Sequence, residues 1–290
     1  MINFKKKILS LNRYKDFNEL ENIKNNRNLI FLIKKKQKKK VLKIFFKKDK
    51  SLYFREISGY KNFKKFYNFK FPNLYFYNKY GDFYLLEFEF INGKKPNFFE
   101  FNNIFNLLNE RKYKLNLKEY LSKINHQNSL KKKLYKFLIN NIKNIFFTKS
   151  HGDFVSYNIL KQRKNYFLID FEKFRNTSLY YDRINFLSHP IFYHYSKIIN
   201  YFKSNLFLII FENLYIKFFP MLIFMFLNYS LKNKKLKFDD FKCYYLLYLF
   251  EKIENQKKDL KSTKSKTEKR ITKKQINLMN KSLIFELYYN

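Results

Sequence analysis

A carboxylate, a carboxamide and a second carboxylate stand close together in the middle of the chain. The run His151-Gly152-Asp153-Phe154-Val155-Ser156-Tyr157-Asn158-Ile159-Leu160 precedes Leu168-Ile169-Asp170-Phe171-Glu172, so Asn158 follows Asp153 by five residues and Asp170 follows Asn158 by twelve. If the intervening chain is a loop and a hairpin, the three groups lie together. Such a set suits phosphoryl transfer, which needs a base or orienting group at the attacking hydroxyl and oxygen ligands for a Mg2+ that bridges nucleotide phosphates. In this reading Asp153 accepts the hydroxyl proton, and Asn158 and Asp170 hold the metal.

The flanking elements show two rhythms that meet near residue 91. Residues 28–33 and 41–46 are short apolar runs joined by a lysine-rich turn, which predicts a hairpin. Leu52, Glu56, Tyr60 and Phe63 keep helical spacing, and Pro72 marks the end of that helix. Residues 74–77 and 83–91 flank Gly81-Asp82 and predict a second hairpin. Beyond Pro96 the period becomes helical over 98–108, 117–124 and 130–145, with one β-like interruption at 158–161 and 166–171 joined by the polar turn 162–165. Helices resume over about 180–254. Residues 256–274, nearly all Lys, Ser, Thr and Glu, predict a solvated linker before a last short helix at 276–288. The expected class is α+β, in two lobes, with a small N-terminal sheet carrying one helix and a larger, mainly helical C-terminal lobe. Its divisions are expected at 1–91, 92–255 and 256–290.

Composition requires a folded core. The 290 residues are 46% hydrophobic and 22% aromatic, with 38 Phe and 25 Tyr, too apolar for a solvated polyelectrolyte. Lys and Arg number 61 against 23 Asp and Glu, a formal charge of +38, which in isolation points to nucleic acid, anionic membrane or polyanionic substrates. The absence of Ala and Trp and the excess of Lys, Asn, Ile, Phe and Tyr indicate an AT-rich coding bias that discounts that inference. No groove-reading or base-stacking motif points to specific nucleic-acid binding. The single Cys243 excludes an internal disulfide and a thiolate metal site, and fits a reducing cytoplasm. No apolar segment follows Lys5, Lys6 and Lys7, so no signal peptide is expected. The most apolar stretch, 206–229, is interrupted by Glu212, Lys217 and Pro220 and reads as buried helices rather than a span.

The central run resembles the catalytic stretch of the aminoglycoside phosphotransferase and choline kinase family, a branch of the protein-kinase-like fold. That stretch reads H-G-D-x-x-x-x-N-I-L followed by I-D-F-E, and this chain matches it letter for letter. Glu89-Phe90-Ile91-Asn92-Gly93 resembles the family's hinge, E-[YF]-I-x-G. The resemblance implies that the backbone of residues 87–91, including Glu87, Phe88, Glu89 and Ile91, meets the adenine edge, with Leu86 or Phe88 lining the pocket. It also implies that the strand Val41-Leu42-Lys43-Ile44 carries the phosphate-binding lysine. Period two puts Val41 on the face of Lys43, so Val41 can pack on the purine while Lys43 reaches the phosphates. Lys40 competes for that role, and Glu56 on the following helix would orient the lysine. By the same resemblance Asp182 braces the catalytic loop and His151 orients it, while Glu172 either supports the metal site or stabilises its loop.

The implied cofactors are ATP and Mg2+, with GTP not distinguished. The implied acceptor is a small-molecule hydroxyl: choline or ethanolamine, a sugar or surface-glycan precursor, or an aminoglycoside. Few carboxylates follow residue 190, among them Glu212, Asp239, Asp240 and Glu251, which disfavours a polycationic aminoglycoside. A protein substrate is also disfavoured, because no Lys stands two residues after Asp153. The phosphate-covering turn near 25–28 has no glycine. The other class to weigh is a kinase-fold binding protein without turnover, docked on anionic membrane or nucleic acid through the basic tail 257–274. The expected location is cytoplasmic, with or without peripheral membrane contact, and the oligomeric state is not encoded in any motif.

Overall fold

A computed structural model describes residues 8, 11, 13–14, 19–25, 29–35, 38–124, 128–201, 205–231, 235–263 and 265–288. The glycine-free turn near 25–28 falls largely outside them. The chain forms two compact units, the first made of Met1–Lys64, Asn68–Pro96 and Tyr157–Phe174, the second of Lys65–Tyr67, Asn97–Ser156 and Arg175–Asn290.

The first unit is built on an antiparallel sheet of order β1-β2-β3-β5-β4, with strands β1 (Glu19–Asn25), β2 (Leu29–Lys35), β3 (Lys38–Phe46), β4 (Leu74–Tyr80) and β5 (Phe83–Glu89). Both predicted hairpins are present, and Gly81 takes the positive φ of 53° that the β4–β5 turn requires. Alternation gives each central strand two different faces. Leu42, Ile44, Phe31, Ile33, Phe83 and Leu85 pack in one cluster on the first face. Lys43, Phe45, Tyr84 and Leu86 point the other way, beneath α1 (Lys50–Asn62), where Tyr53 meets Phe45 and Tyr84, and Tyr60 stacks on Phe88.

A further hairpin belongs to this unit although it lies far along the chain: β7 (Ile159–Gln162) with β8 (Asn165–Leu168). Backbone bonds from Lys70 to Tyr166 and between Lys94 and Lys161 attach it to the N-terminal segment. Its two-residue turn places Arg163 at φ 54°, tighter than the four-residue turn the polar pattern suggested. Gly93 makes the close approach possible, since a Cβ there would sit 3.0 Å from Leu160 Cβ and 3.1 Å from the Lys161 carbonyl.

The second unit is mainly helical. It contains α2 (Phe101–Phe105), α3 (Leu117–Ser122), α4 (Asn128–Asn141), α5 (Tyr181–Tyr201), α6 (Asn205–Ser230), α7 (Phe238–Ser262) and α8 (Lys266–Tyr288), with a short ladder of β6 (Phe147–Ser150) and β9 (Arg175–Ser178). The fold class matches the sequence reading; three details differ. The boundary expected at 91 lies at 96 and the β7–β8 hairpin crosses it, because hydrogen bonding across 94 and 161 outweighs chain order.

The linker expected over 256–274 is helical through most of its length: α7 continues to Ser262 and α8 starts at Lys266. Lys, Glu and Gln are good helix formers once a face has somewhere to pack. Ile276, Leu278, Met279 and Leu283 of α8 provide that face, and Gln256 bonds Gln275 at 3.1 Å. The stretch 206–229 is one continuous helix rather than short buried pieces. Its segment Ile210–Ser230 is long and apolar enough to cross a membrane, and only 28% of that window is buried.

Candidate active site

In the first unit four charged side chains converge. Lys43, on the α1 face of β3 and 4% exposed, donates to Glu56 of α1 at 3.0 Å and to Asp170 at 2.8 Å, and pairs with Glu172 at 2.5 Å. Lys40 lies on the opposite face of β3, where it and Arg13 bind the buried carboxylate of Glu87 at 2.6 and 2.9 Å. The alternation of the strand therefore separates the two candidate lysines. Val41 shares the Lys43 face and is partly exposed.

Asp170 and Glu172 reach Lys43 because the chain turns sharply after β8. Asp170 has φ 68°, a left-handed conformation rare for a residue with a side chain. Phe171 anchors that turn beneath α1, with ring centroids 4.6 Å from Tyr60 and 4.4 Å from Phe63. Gly59 makes room for it, since a Cβ there would lie 2.5 Å from Phe171 Cβ. Asn158 is buried, and its carbonyl accepts from the amide of Ile169, tying its backbone to the residue before Asp170.

The electrostatics of the cluster are unbalanced. Oxygens of Glu56, Asp170 and Glu172 all lie within 4.8 Å of one another, and one ammonium faces them. Burial works against the charge on Lys43, but Asp170, Glu172 and Glu56 hold it well above the ordinary lysine range. Burial and the neighbouring carboxylates push Glu56 up to about 8 against the pull of Lys43. Burial likewise raises Glu172.

The backbone of β5 is engaged on both sides as far as Glu89: residues 87 and 88 pair with β3 and β4, and the Glu89 amide donates to the Asn73 carbonyl. The side chain of Phe88 is buried against Tyr60, that of Glu87 is held by Arg13 and Lys40, and that of Glu89 accepts from Asn73. Of the predicted hinge, the stretch that has left the sheet is Phe90, Ile91 and Asn92, with Ile91 buried.

In the second unit the loop after β6 is held by Asp182, at the start of α5. Its carboxylate accepts from the amides of His151 at 2.8 Å and Gly152 at 3.1 Å, and from the Tyr67 hydroxyl at 2.5 Å. Tyr67 also receives the His151 amide at 2.8 Å. Burial raises the Asp182 carboxyl, while His151 and these hydrogen bonds favour its charged form. The buried ring of His151 accepts from the Asp153 amide through Nδ1 at 3.3 Å, and Gly152 takes φ 77°. Asn185 donates to the Phe154 carbonyl at 3.1 Å. The backbone on both sides of Asp153 is thus fixed from outside the loop.

No family model and no curated protein sequence matches the chain. Solved structures do. A choline kinase from Streptococcus pneumoniae superposes with a TM-score of 0.59 at 13% identity, over 97% of this chain and 98% of that one. A microcompartment-associated aminopropanol kinase gives 0.50 at 11% identity, over 100% and 97%. A thermostable mutant of an aminoglycoside phosphotransferase, in a ternary complex with ADP and hygromycin B, gives 0.53 at 9% identity, over 96% and 97%.

The fold is kinase-like. Within it, the donor set of the first unit suits a divalent cation. Three carboxylates against one ammonium leave a formal charge of about −2, and hard oxygen donors are what Mg2+ requires. Glu172, expected to support a metal site or to stabilise its loop, binds Lys43 directly. Tyr67 shares the Asp182 carboxylate from more than a hundred positions earlier, and nothing in the sequence marks it.

Proposed function

We propose that the chain is an ATP- and Mg2+-dependent phosphotransferase acting on a hydroxyl of a small molecule. The observation that carries this reading is the ion-paired cluster in which buried Lys43 is held between Glu56 and Asp170. A lysine fixed from two sides is pre-organised to neutralise charge developing on phosphate oxygens, and it spends no binding energy on ordering itself.

In this reading Lys43 binds the nucleotide phosphates and Glu56 fixes its direction. Asp170 and Asn158 would hold Mg2+, with Glu172 alongside; when bound, the metal supplies charge neutralisation at the phosphates. Asp153 orients the acceptor hydroxyl and takes its proton, on a loop whose backbone Asp182 and His151 immobilise. The purine lies against Val41 and the segment after β5. What supports these roles is the ordered series of motifs together with the kinase-like fold.

The acceptor is a small alcohol rather than a polycation. Of the carboxylates after residue 190, Glu212 is bound by Tyr195 and Lys281. Glu251 is buried against Tyr120 and Ser178, and burial pushes it up to about 7. Neither is available to recognise an oligoamine, although Asp239 is exposed. The small number of carboxylates after residue 190 favours an amino alcohol of the choline type or a neutral sugar.

The test is calorimetric titration of ATP with and without Mg2+, on the wild type and Asp170→Asn. The reading expects Mg2+ to strengthen nucleotide binding in the wild type and to have little effect in the variant. Equal Mg2+ dependence in both would remove Asp170 from its role.

A further inference from the structure

Helix α6 leaves a large apolar face uncovered. Leu214, Phe218, Met221, Leu222, Met225 and Tyr229 are 47–69% exposed. At about 100° per residue these six positions fall within an arc of about 100°, and at 1.5 Å per residue the stripe is about 22 Å long. Soluble chains seldom leave so many large side chains contiguous and open without using them.

The opposite side of α6 is not open. Tyr215, Ile216, Phe219, Ile223 and Leu227 are buried within the second unit. That side packs against α8, whose sequence is rich in lysine and so has no place inside a bilayer, and the length and hydropathy of α6 therefore do not make it a span. They make it a helix that lies along a surface.

Charge selects the surface. Lys217 flanks the stripe and is exposed, and Lys235 and Lys237, also exposed, follow just beyond its end. Glu212, near the start, is neutralised by Lys281 at 2.6 Å. No acidic residue interrupts positions 213–238. A second copy would bring the same lysines against these, whereas an anionic lipid surface is attracted by them and offers an apolar interior to the stripe. The face that enters the interface is apolar, bordered by lysines and ended by an exposed tyrosine; the opposite face, which in a free interfacial helix would be charged, is here covered by protein.

We propose that the exposed face of α6 docks the protein on anionic phospholipid bilayers, lying in the plane of the interface. This is independent of phosphotransfer and would hold for an inactive chain.

The test uses full-length protein with vesicles of phosphatidylcholine alone and of phosphatidylcholine mixed with phosphatidylglycerol. The wild type is expected to sediment with the anionic vesicles. The triple variant Leu214→Gln, Phe218→Gln, Met225→Gln, with an unchanged circular dichroism spectrum, should bind them about a hundredfold more weakly. Since the chain has no Trp, Tyr229→Trp supplies a single reporter in an otherwise native protein. Its emission should move to shorter wavelength on vesicle addition and be quenched by bromine-labelled acyl chains. Absence of vesicle binding would overturn the proposal. So would binding that the triple variant retains or that leaves the tryptophan unquenched, since lysine adhesion alone would then explain it. A concentration-dependent dimer that the triple variant abolishes, without vesicle binding, would assign the face to a second copy instead.

Discussion

Replacing Lys43 by Met removes the buried ammonium that pairs with three carboxylates at 3.0, 2.8 and 2.5 Å. The cluster's formal charge goes from about −2 to about −3, and removing one partner of a buried pair costs about 3–5 kcal/mol. The cost depends on pH, with a sign that follows from Glu56. Its carboxyl is raised from 4.5 to about 8, so between those values the folded state holds more protons than the unfolded state. Stability contributed through Glu56 is therefore fully present below about 4.5 and falls as pH rises toward about 8. Lys43 opposes that rise, so its removal extends the interval and steepens the fall.

The destabilisation by Lys43→Met is expected at about 3–5 kcal/mol near pH 8 and below about 2 kcal/mol near pH 5, where the carboxylates can take up protons. Urea unfolding followed by circular dichroism at both pH values measures it. Adding Glu56→Gln removes one uncompensated carboxylate and should recover about 1–2 kcal/mol near pH 8. A loss under about 1 kcal/mol that is equal at both pH values would refute the reasoning, because Lys43 would then not be the counter-charge of the cluster.

Other perturbations separate the parts. Lys40→Met leaves Arg13 on Glu87 and should keep any phosphate transfer at the wild-type rate, with a stability loss of about 1 kcal/mol; a transfer defect would reassign the phosphate-binding lysine. Gly59→Ala should cost about 1–3 kcal/mol in thermal or urea unfolding, because the new methyl meets Phe171 Cβ at 2.5 Å; an unchanged midpoint would mean that the turn carrying Asp170 yields easily. Asp182→Ala removes the acceptor of the Gly152 amide and one of the acceptors of the His151 amide and the Tyr67 hydroxyl, and about 2–4 kcal/mol should be lost in the same assay, with a smaller loss for Asp182→Asn.

Much of the first unit was legible because its signals are local. The two hairpins, α1 and the turn at Gly81 follow from alternation, spacing and turn residues within short windows. Lys43 is favoured over Lys40 because it alone sits inside the apolar run, and strand alternation puts the two on opposite faces; the partner of Lys40 is Glu87, forty-seven positions away, and no local pattern links them. The residue types and spacing of the central run are plain in the sequence. The support beneath it is not, since Tyr67 and Phe171 act through packing across long separations.

The C-terminal region misled for a physical reason. A lysine-rich stretch reads as solvated when judged alone, and most of 256–274 is helical because Ile276, Met279 and Leu283 find a partner in the second unit. In α6, Glu212, Lys217 and Pro220 read as breaks, yet Glu212 is paired and Lys217 is exposed, so the helix continues through all three. Whether an apolar side chain is covered is decided by tertiary packing. Composition could not say that half of that helix faces outward.

The most direct test of the central claim is phosphate transfer from Mg·ATP to choline, ethanolamine, amino alcohols, neutral sugars and aminoglycosides, with Asp153→Asn beside the wild type. The account predicts transfer to at least one alcohol and a loss of about a thousandfold or more in Asp153→Asn, with nucleotide binding retained. Transfer that survives Asp153→Asn would contradict the assigned base. Binding of Mg·ATP without transfer to any of these acceptors, or to hydroxyl compounds in a metabolite extract, would make the protein a kinase-fold binding module.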